Sequence, residues 1–82
     1  MNTERAILKS KLSALKIRKM DLETKAASNI ADVKTLLAAA SIRPLSEIDV
    51  EAAAVLLKEA AALKQELAGV VADIARINGE LE

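Results

Sequence analysis

The sequence contains no cysteine, histidine, phenylalanine, tyrosine or tryptophan, and it has one proline and two glycines among 82 residues. The missing cysteine and histidine remove disulfides, thiolate nucleophiles and the commonest metal ligand. A phosphate-binding glycine loop, a serine-elbow motif and a metal-protease signature are also missing. We therefore expect no catalytic residue, no cofactor and no metal site, and we expect that the protein is not an enzyme.

Long apolar runs are missing as well. The longest uninterrupted apolar stretches are far shorter than the roughly 18 residues of a membrane-spanning helix. No secretory segment is recognisable either. We therefore expect a cytoplasmic protein without a membrane partner.

The residues that are present favour helices. The chain is 52% hydrophobic and 29% charged, and it is rich in alanine and leucine, which lose little conformational freedom on entering a helix. A chain of this length predicts a single domain spanning residues 1–82. One core of that size supplies only ~3 to 5 kcal/mol of net stability, so self-association would help to stabilise the fold.

Apolar residues recur every three or four positions in both halves of the chain. This spacing keeps them on one stripe of a helix and predicts two long helices, each with a coiled-coil seam. The stripe of the first half is interrupted only at Lys19 and Asn29. Its members are Leu8, Leu12, Leu15, Leu22, Ala26, Val33, Leu36 and Ala40, and those of the second half are Ala53, Leu56, Ala60, Leu63, Leu67, Val70, Ile74, Ile77 and Leu81.

The single proline, Pro44, lies near the middle of the chain and disfavours helical geometry at the residue before it. Ser46, with Asp49 three residues later, resembles a capping box and predicts the start of the second helix. Asn78 and Gly79 are suited to its end. The predicted elements are helix 1 at about 3–41, a turn at about 42–46 and helix 2 at about 47–79.

Folding the chain about Pro44 aligns the two stripes. Leu36 then lies opposite Ala53 at one end, and Leu12 lies opposite Ile77 at the other. The intervening layers are apolar on both sides except where Lys19 and Asn29 enter the seam. The sequence therefore predicts an all-α fold, an antiparallel two-helix coiled-coil hairpin that dimerises into a four-helix bundle.

The two halves carry opposite charge. Residues 1–43 have nine Lys and Arg against four Asp and Glu, a net charge of +5, whereas residues 44–82 have three against eight, a net charge of −5. In the heptad labels a to g, the g positions of antiparallel helices face each other and the e positions face each other. The g positions carry Lys11, Arg18 and Lys25 on helix 1 and Glu59, Glu66, Asp73 and Glu80 on helix 2. On the other flank, Glu23 lies opposite Lys64.

An apolar surface remains after the seam is closed. It lies on the e positions near the turn and on the b positions of helix 2, with Ile42, Leu45 and Ile48 beside it. Small and aliphatic residues on so wide an arc are typical of a helix that packs against more than one neighbouring helix. The candidate interface residues are Ile30, Leu37, Val50, Ala54, Leu57, Ala61, Ala68 and Val71.

This surface predicts a noncatalytic interaction module, an assembly, adaptor or inhibitory subunit that acts by burying a helix face. The expected partner is a second copy of the chain, and an unidentified protein is the other candidate. Alternatively, the alanines reflect helix propensity alone and the surface stays hydrated.

The basic first half of helix 1 suggests an alternative function, the binding of nucleic acid. Its candidate phosphate contacts are Arg5, Lys9, Lys16 and Lys19. Three observations count against this hypothesis. Lys11 and Arg18 already have acidic partners in the predicted hairpin, no aromatic residue is available to stack on bases, and the formal net charge is zero.

Overall fold

Two long helices account for most of the fold. The computed structural model describes residues 2–82, with side chains from Thr3 onward. Helix α1 spans Asn2–Ala38 and helix α2 spans Val50–Leu81, and short 3-10 helices at Ala39–Ser41 and Leu45–Glu47 lie between them. No strand occurs among the described residues. The resulting rod measures 65 × 15 × 14 Å.

Contacts between α1 and α2 show that the helices run antiparallel. Arg18 pairs with Glu66, and Asn29, further along α1, donates a hydrogen bond to Glu59, which is earlier in α2. The predicted all-helical hairpin is therefore confirmed.

The predicted seam is confirmed in both helices. Every member of the two stripes is buried or half-buried except Ala40, and Lys19 and Asn29 are half-buried between their apolar neighbours. The fully buried residues of the described chain are Leu22, Val33, Ala53, Val70 and Ile77. Because the hairpin has only two helices, this core is a single row of layers along the rod.

The seam departs from prediction where α1 ends. Ala39 is half-buried and Ala40 is exposed, whereas the heptad spacing predicts Ala40 in the seam. The backbone becomes a 3-10 helix at Ala39, and such a helix has three residues per turn rather than 3.6. The inward-facing residue after Leu36 is therefore three positions on, not four.

Helix α2 begins later than the capping pattern suggests. Ser46 lies inside the second 3-10 helix, and Asp49 is the residue that caps α2, because its Oδ1 accepts a hydrogen bond from the backbone N–H of Ala52 at 2.9 Å. The helix also continues through Asn78 and Gly79 to Leu81. Gly79 does not end it, because no described glycine has the positive φ that a glycine cap requires.

Replacing Asp49 with alanine should destabilise the hairpin by about 1 kcal/mol, because the N–H groups of the first turn of α2 lose their side-chain acceptor. Thermal unfolding followed by circular dichroism at 222 nm measures the loss. Ser46→Ala is the matched control, since Ser46 provides no cap, and it should leave the midpoint unchanged. A larger loss in Ser46→Ala than in Asp49→Ala would contradict the observed helix start.

Candidate interaction surface

Four large aliphatic residues lie together on one flank of the seam near the turn. They occupy e positions, which antiparallel helices bring to the same side. Their side chains are 39–49% exposed, against 67% for Ile17 and 69% for Met20 on the outer side of α1. Partial exposure is expected beside a seam, because one side of each residue rests on the core. We call these residues the turn-end patch: Ile30, Leu37, Val50 and Leu57.

The turn adds two more apolar side chains to this end of the rod. Ile42 is 82% exposed and Leu45 is 74% exposed, although Ile48 beside them is half-buried. Isolated exposed aliphatic residues are ordinary on protein surfaces, but a contiguous group is typical of a contact surface. We call Ile42 and Leu45 the tip.

The remaining candidate interface residues continue along α2. Ala54, Ala61, Ala68 and Val71 are all exposed, so the hairpin itself buries none of the eight predicted positions. The alanines recur every seven residues and therefore form a narrow ridge of small side chains. Such a ridge allows another helix to approach closely.

On the same flank, the aliphatic residues near the turn are followed by lysines in the direction of the open end of the hairpin. Lys64, which the register places level with Lys25 near the middle of the rod, occupies an e position, as do Lys16 and Lys9 beyond it toward the open end. None of the three forms an ion pair with a described residue. The predicted pairing of Glu23 with Lys64 is wrong, because Glu23 instead lies 3.9 Å from the Nζ of Lys19 in its own helix. We call Lys9, Lys16 and Lys64 the open-end lysines.

The opposite flank carries the polar contacts between the helices. Arg18 forms the one described ion pair that joins α1 to α2, with Glu66. The Nδ2 of Asn29 donates to the backbone oxygen of Leu56 at 3.4 Å and to the Oε2 of Glu59 at 3.3 Å. Leu56 and Glu59 belong to the same turn of α2 as Ala60, the predicted neighbour of Asn29. These contacts therefore agree with the register read from the stripes.

The rest of the predicted charge ladder pairs within each helix. Lys25 lies 3.3 Å from Asp21, and Arg76 lies 3.6 Å from Asp73 and 3.8 Å from Glu80. All five side chains are well exposed, so each pair contributes only ~0 to 1 kcal/mol. The opposite net charges of the two halves favour their association, and these individual pairs add little to it.

A shallow depression of about 350 Å³ opens on this polar flank. It holds carboxylates of Glu59 and Glu66, the amine of Lys25 and the amide of Asn29. These groups have partners in the hairpin or in their own helix. The depression is lined by Lys25, Asn29, Glu59, Ala62, Leu63 and Glu66.

The four candidate phosphate contacts do not share one face. Lys9 and Lys16 lie on the flank of the turn-end patch, whereas Lys19 is half-buried in the seam and lies next to Glu23. Arg5 is exposed at a seam position near the open end. Lys64, which sequence reasoning placed opposite Glu23, lies on the same flank as Lys9 and Lys16, about 13 Å along the rod from Lys16.

The surface is thus that of an antiparallel helical hairpin with one apolar and basic flank and one charge-paired flank.

Comparison with protein-family models, curated proteins and solved structures finds no match to this chain. Within residues 2–82 no helix is long and apolar enough to cross a membrane. The same residues contain no group of three or more Asp or Glu side chains arranged to hold a metal ion.

Proposed function

We propose that this protein is a noncatalytic helical interaction module, an assembly, adaptor or inhibitory subunit that acts by self-association. Two hairpins would bury the turn-end patch against each other and form a four-helix bundle at the contact. The observation that carries this proposal is the turn-end patch itself. Four aliphatic side chains rest on the core with one side and face solvent with the other.

The exposed surface area of the hairpin supports the proposal that it packs against a second copy. The chain exposes 6164 Å², whereas a compact monomer of 8.7 kDa exposes about 4,700 Å². The difference, about 1,400 Å², exceeds the roughly 800 Å² that each partner contributes to a standard interface. A rod of two helices can therefore lose enough surface on dimerisation to form a specific contact.

The thin core supports the same conclusion. Only five described residues are buried, and a core this small stabilises a fold weakly. Covering the exposed part of each patch residue contributes on the order of 1 kcal/mol, and a symmetric dimer gains each contribution twice. Association would therefore stabilise the hairpin as well as join two copies.

Size-exclusion chromatography with light scattering, from low to high micromolar concentration, tests the proposal. We expect the mass to rise from 8.7 kDa toward twice that value as concentration increases. A mass that stays monomeric at high micromolar concentration would overturn self-association. Neither an enzyme assay nor a partner is needed for this measurement.

A second candidate function is the binding of nucleic acid along the rod between its middle and its open end. The observation in its favour is that Arg5, Lys9, Lys16 and Lys64 make no ion pair with described residues. Such side chains are available to phosphates, and the resulting affinity would fall steeply with salt. Titration with labelled DNA and RNA at low salt tests this function. A protein without measurable affinity at low salt has no electrostatic binding site for nucleic acid.

A further inference from the structure

We propose that the self-associated form is a turn-end dimer, in which two hairpins overlap only at their turns and point away from each other. This inference rests on the proposed self-association and adds its geometry. A two-fold axis would pass level with Leu37 and Val50. The tip of each copy would then cover Ile30 and Leu57 of the other.

The spacing along the rod makes this surface complementary to itself. Ile30 and Leu57 each lie seven residues from Leu37 and Val50, which is about 10 Å at 1.5 Å per residue. Ile42, in the tip, lies five residues beyond Leu37 in the other direction, and three of the four residues between them form a 3-10 helix at about 2 Å per residue, which again gives about 10 Å. A two-fold axis midway therefore sets each tip against an apolar pair of the partner.

The turn-end arrangement also explains why the tip is so exposed within one chain. Ile42 and Leu45 are the two most exposed large hydrophobic residues described, and a single hairpin has nothing beyond its turn to cover them. In the proposed dimer the partner's flank extends past the turn and supplies that cover.

The open-end lysines disfavour the alternative of two hairpins side by side with their turns at the same end. A two-fold axis along the rod would place Lys9, Lys16 and Lys64 next to their own copies, because a symmetric interface uses the same patch twice. Like charges brought together at an interface are unfavourable. The acidic residue of this flank, Glu23, already lies beside Lys19.

The open-end lysines also disfavour an antiparallel dimer that overlaps along its full length. In that arrangement the turn-end patch of each copy would lie over the lysine-bearing half of the other. The aliphatic side chains would then bury charged groups that lack partners, at a cost in desolvation. Overlap at the turns alone leaves all three lysines of each copy in water.

The proposed overlap is short. It extends about 10 Å on either side of the axis, so two rods of 65 Å would form one particle about 110 Å long. Ala61, Ala68 and Val71 lie beyond Leu57 and would remain outside the contact. An overlap this short buries an area at the low end of the range for specific interfaces. We therefore expect a reversible dimer with micromolar affinity.

Distances between spin labels test the geometry, and the absence of cysteine in the sequence allows single labelling sites. Ser46→Cys places a label at the turn, and Ser10→Cys places one toward the open end. Both serines are exposed. In the turn-end dimer, pulsed electron resonance should give about 20 to 30 Å between the two labels at position 46 and about 80 Å between those at position 10.

Other outcomes separate the two proposals. Short distances at both positions would indicate the side-by-side dimer, whereas about 60 Å at position 46 with about 40 Å at position 10 would indicate full antiparallel overlap. Either result overturns the turn-end geometry but leaves self-association in place. A labelled chain that remains helical and monomeric at high micromolar concentration, together with a monomeric unlabelled chain, overturns both.

The salt dependence of association provides an independent readout on the unaltered chain. The open-end lysines lie outside the turn-end contact, where Lys34, exposed beside Ile30 and Leu37, is the nearest lysine, so the dissociation constant should change only a few-fold between low and high salt. A side-by-side dimer would instead tighten markedly as salt screens the facing lysines. Marked tightening would therefore contradict the turn-end dimer without any label.

Discussion

Leu22→Ala is expected to unfold much of the hairpin at room temperature. Leu22 is only 2% exposed and has the smallest exposed fraction of the five buried core residues. Replacing a buried leucine with alanine costs about 2 to 5 kcal/mol, and the whole fold has only about 3 to 5 kcal/mol of net stability. Thermal unfolding followed by circular dichroism should show a large loss of helical signal and a much lower midpoint.

Ile17→Ala is the matched control for Leu22→Ala. Ile17 lies five residues earlier in the same helix and is 67% exposed, so its removal leaves no cavity. Alanine is also the better helix former, and the control should be neutral or slightly stabilising. Both variants must be compared at one protein concentration, because dimerisation makes the midpoint concentration-dependent. Equal losses in the two variants would contradict the seam.

The double variant Leu37→Gln with Leu57→Gln should weaken self-association on the order of 100-fold or more while retaining helicity. Each substitution removes one half-exposed leucine from each copy, so four side chains are lost per dimer. At about 1 kcal/mol for each, the loss corresponds to at least two decades in the dissociation constant. Sedimentation equilibrium measures the constant, and circular dichroism measures the helicity.

The control for this double variant is Ile17→Gln with Val55→Gln. These residues are 67% and 58% exposed and lie on the outer side of the hairpin. The control removes the same number of aliphatic side chains and should leave association unchanged. If the control weakened the dimer as much as the double variant, the turn-end patch would not be the contact surface.

The seam could be predicted from the sequence because a coiled-coil stripe depends only on local periodicity. Spacings of three and four residues hold from Leu8 to Leu36 and from Ala53 to Leu81, and helical geometry carries each position to the same stripe without knowledge of distant contacts. The turn-end patch follows from the same labels, since Ile30 and Leu57 are one position beyond seam residues.

The turn could not be predicted with the same accuracy because two local patterns compete there. Ser46 and Asp49 are both good capping residues, and the choice between them depends on how the chain leaves Pro44. The extended conformation at Pro44 and the following 3-10 helix delay the start of α2 to Val50. Likewise, the phase shift that moves Ala39 into the seam has no signal in the heptad pattern.

The individual ion pairs were also beyond sequence reasoning. Lys25 can reach acidic residues in either helix, and a pair with Asp21 four residues away differs little in energy from a pair across the seam. The same holds for Glu23, which lies beside Lys19 rather than Lys64. Small energy differences between exposed partners decide such contacts, whereas apolar burial decides the seam.

A core made of one row of layers also determines how the molecule loosens. Each layer contacts only the layers above and below it, whereas residues in a globular core contact neighbours on all sides. Layers can separate one after another from the open end while the middle remains closed. Amide hydrogens near Leu22 and Val33 should therefore exchange with solvent most slowly, with protection declining toward Asn2 and Leu81.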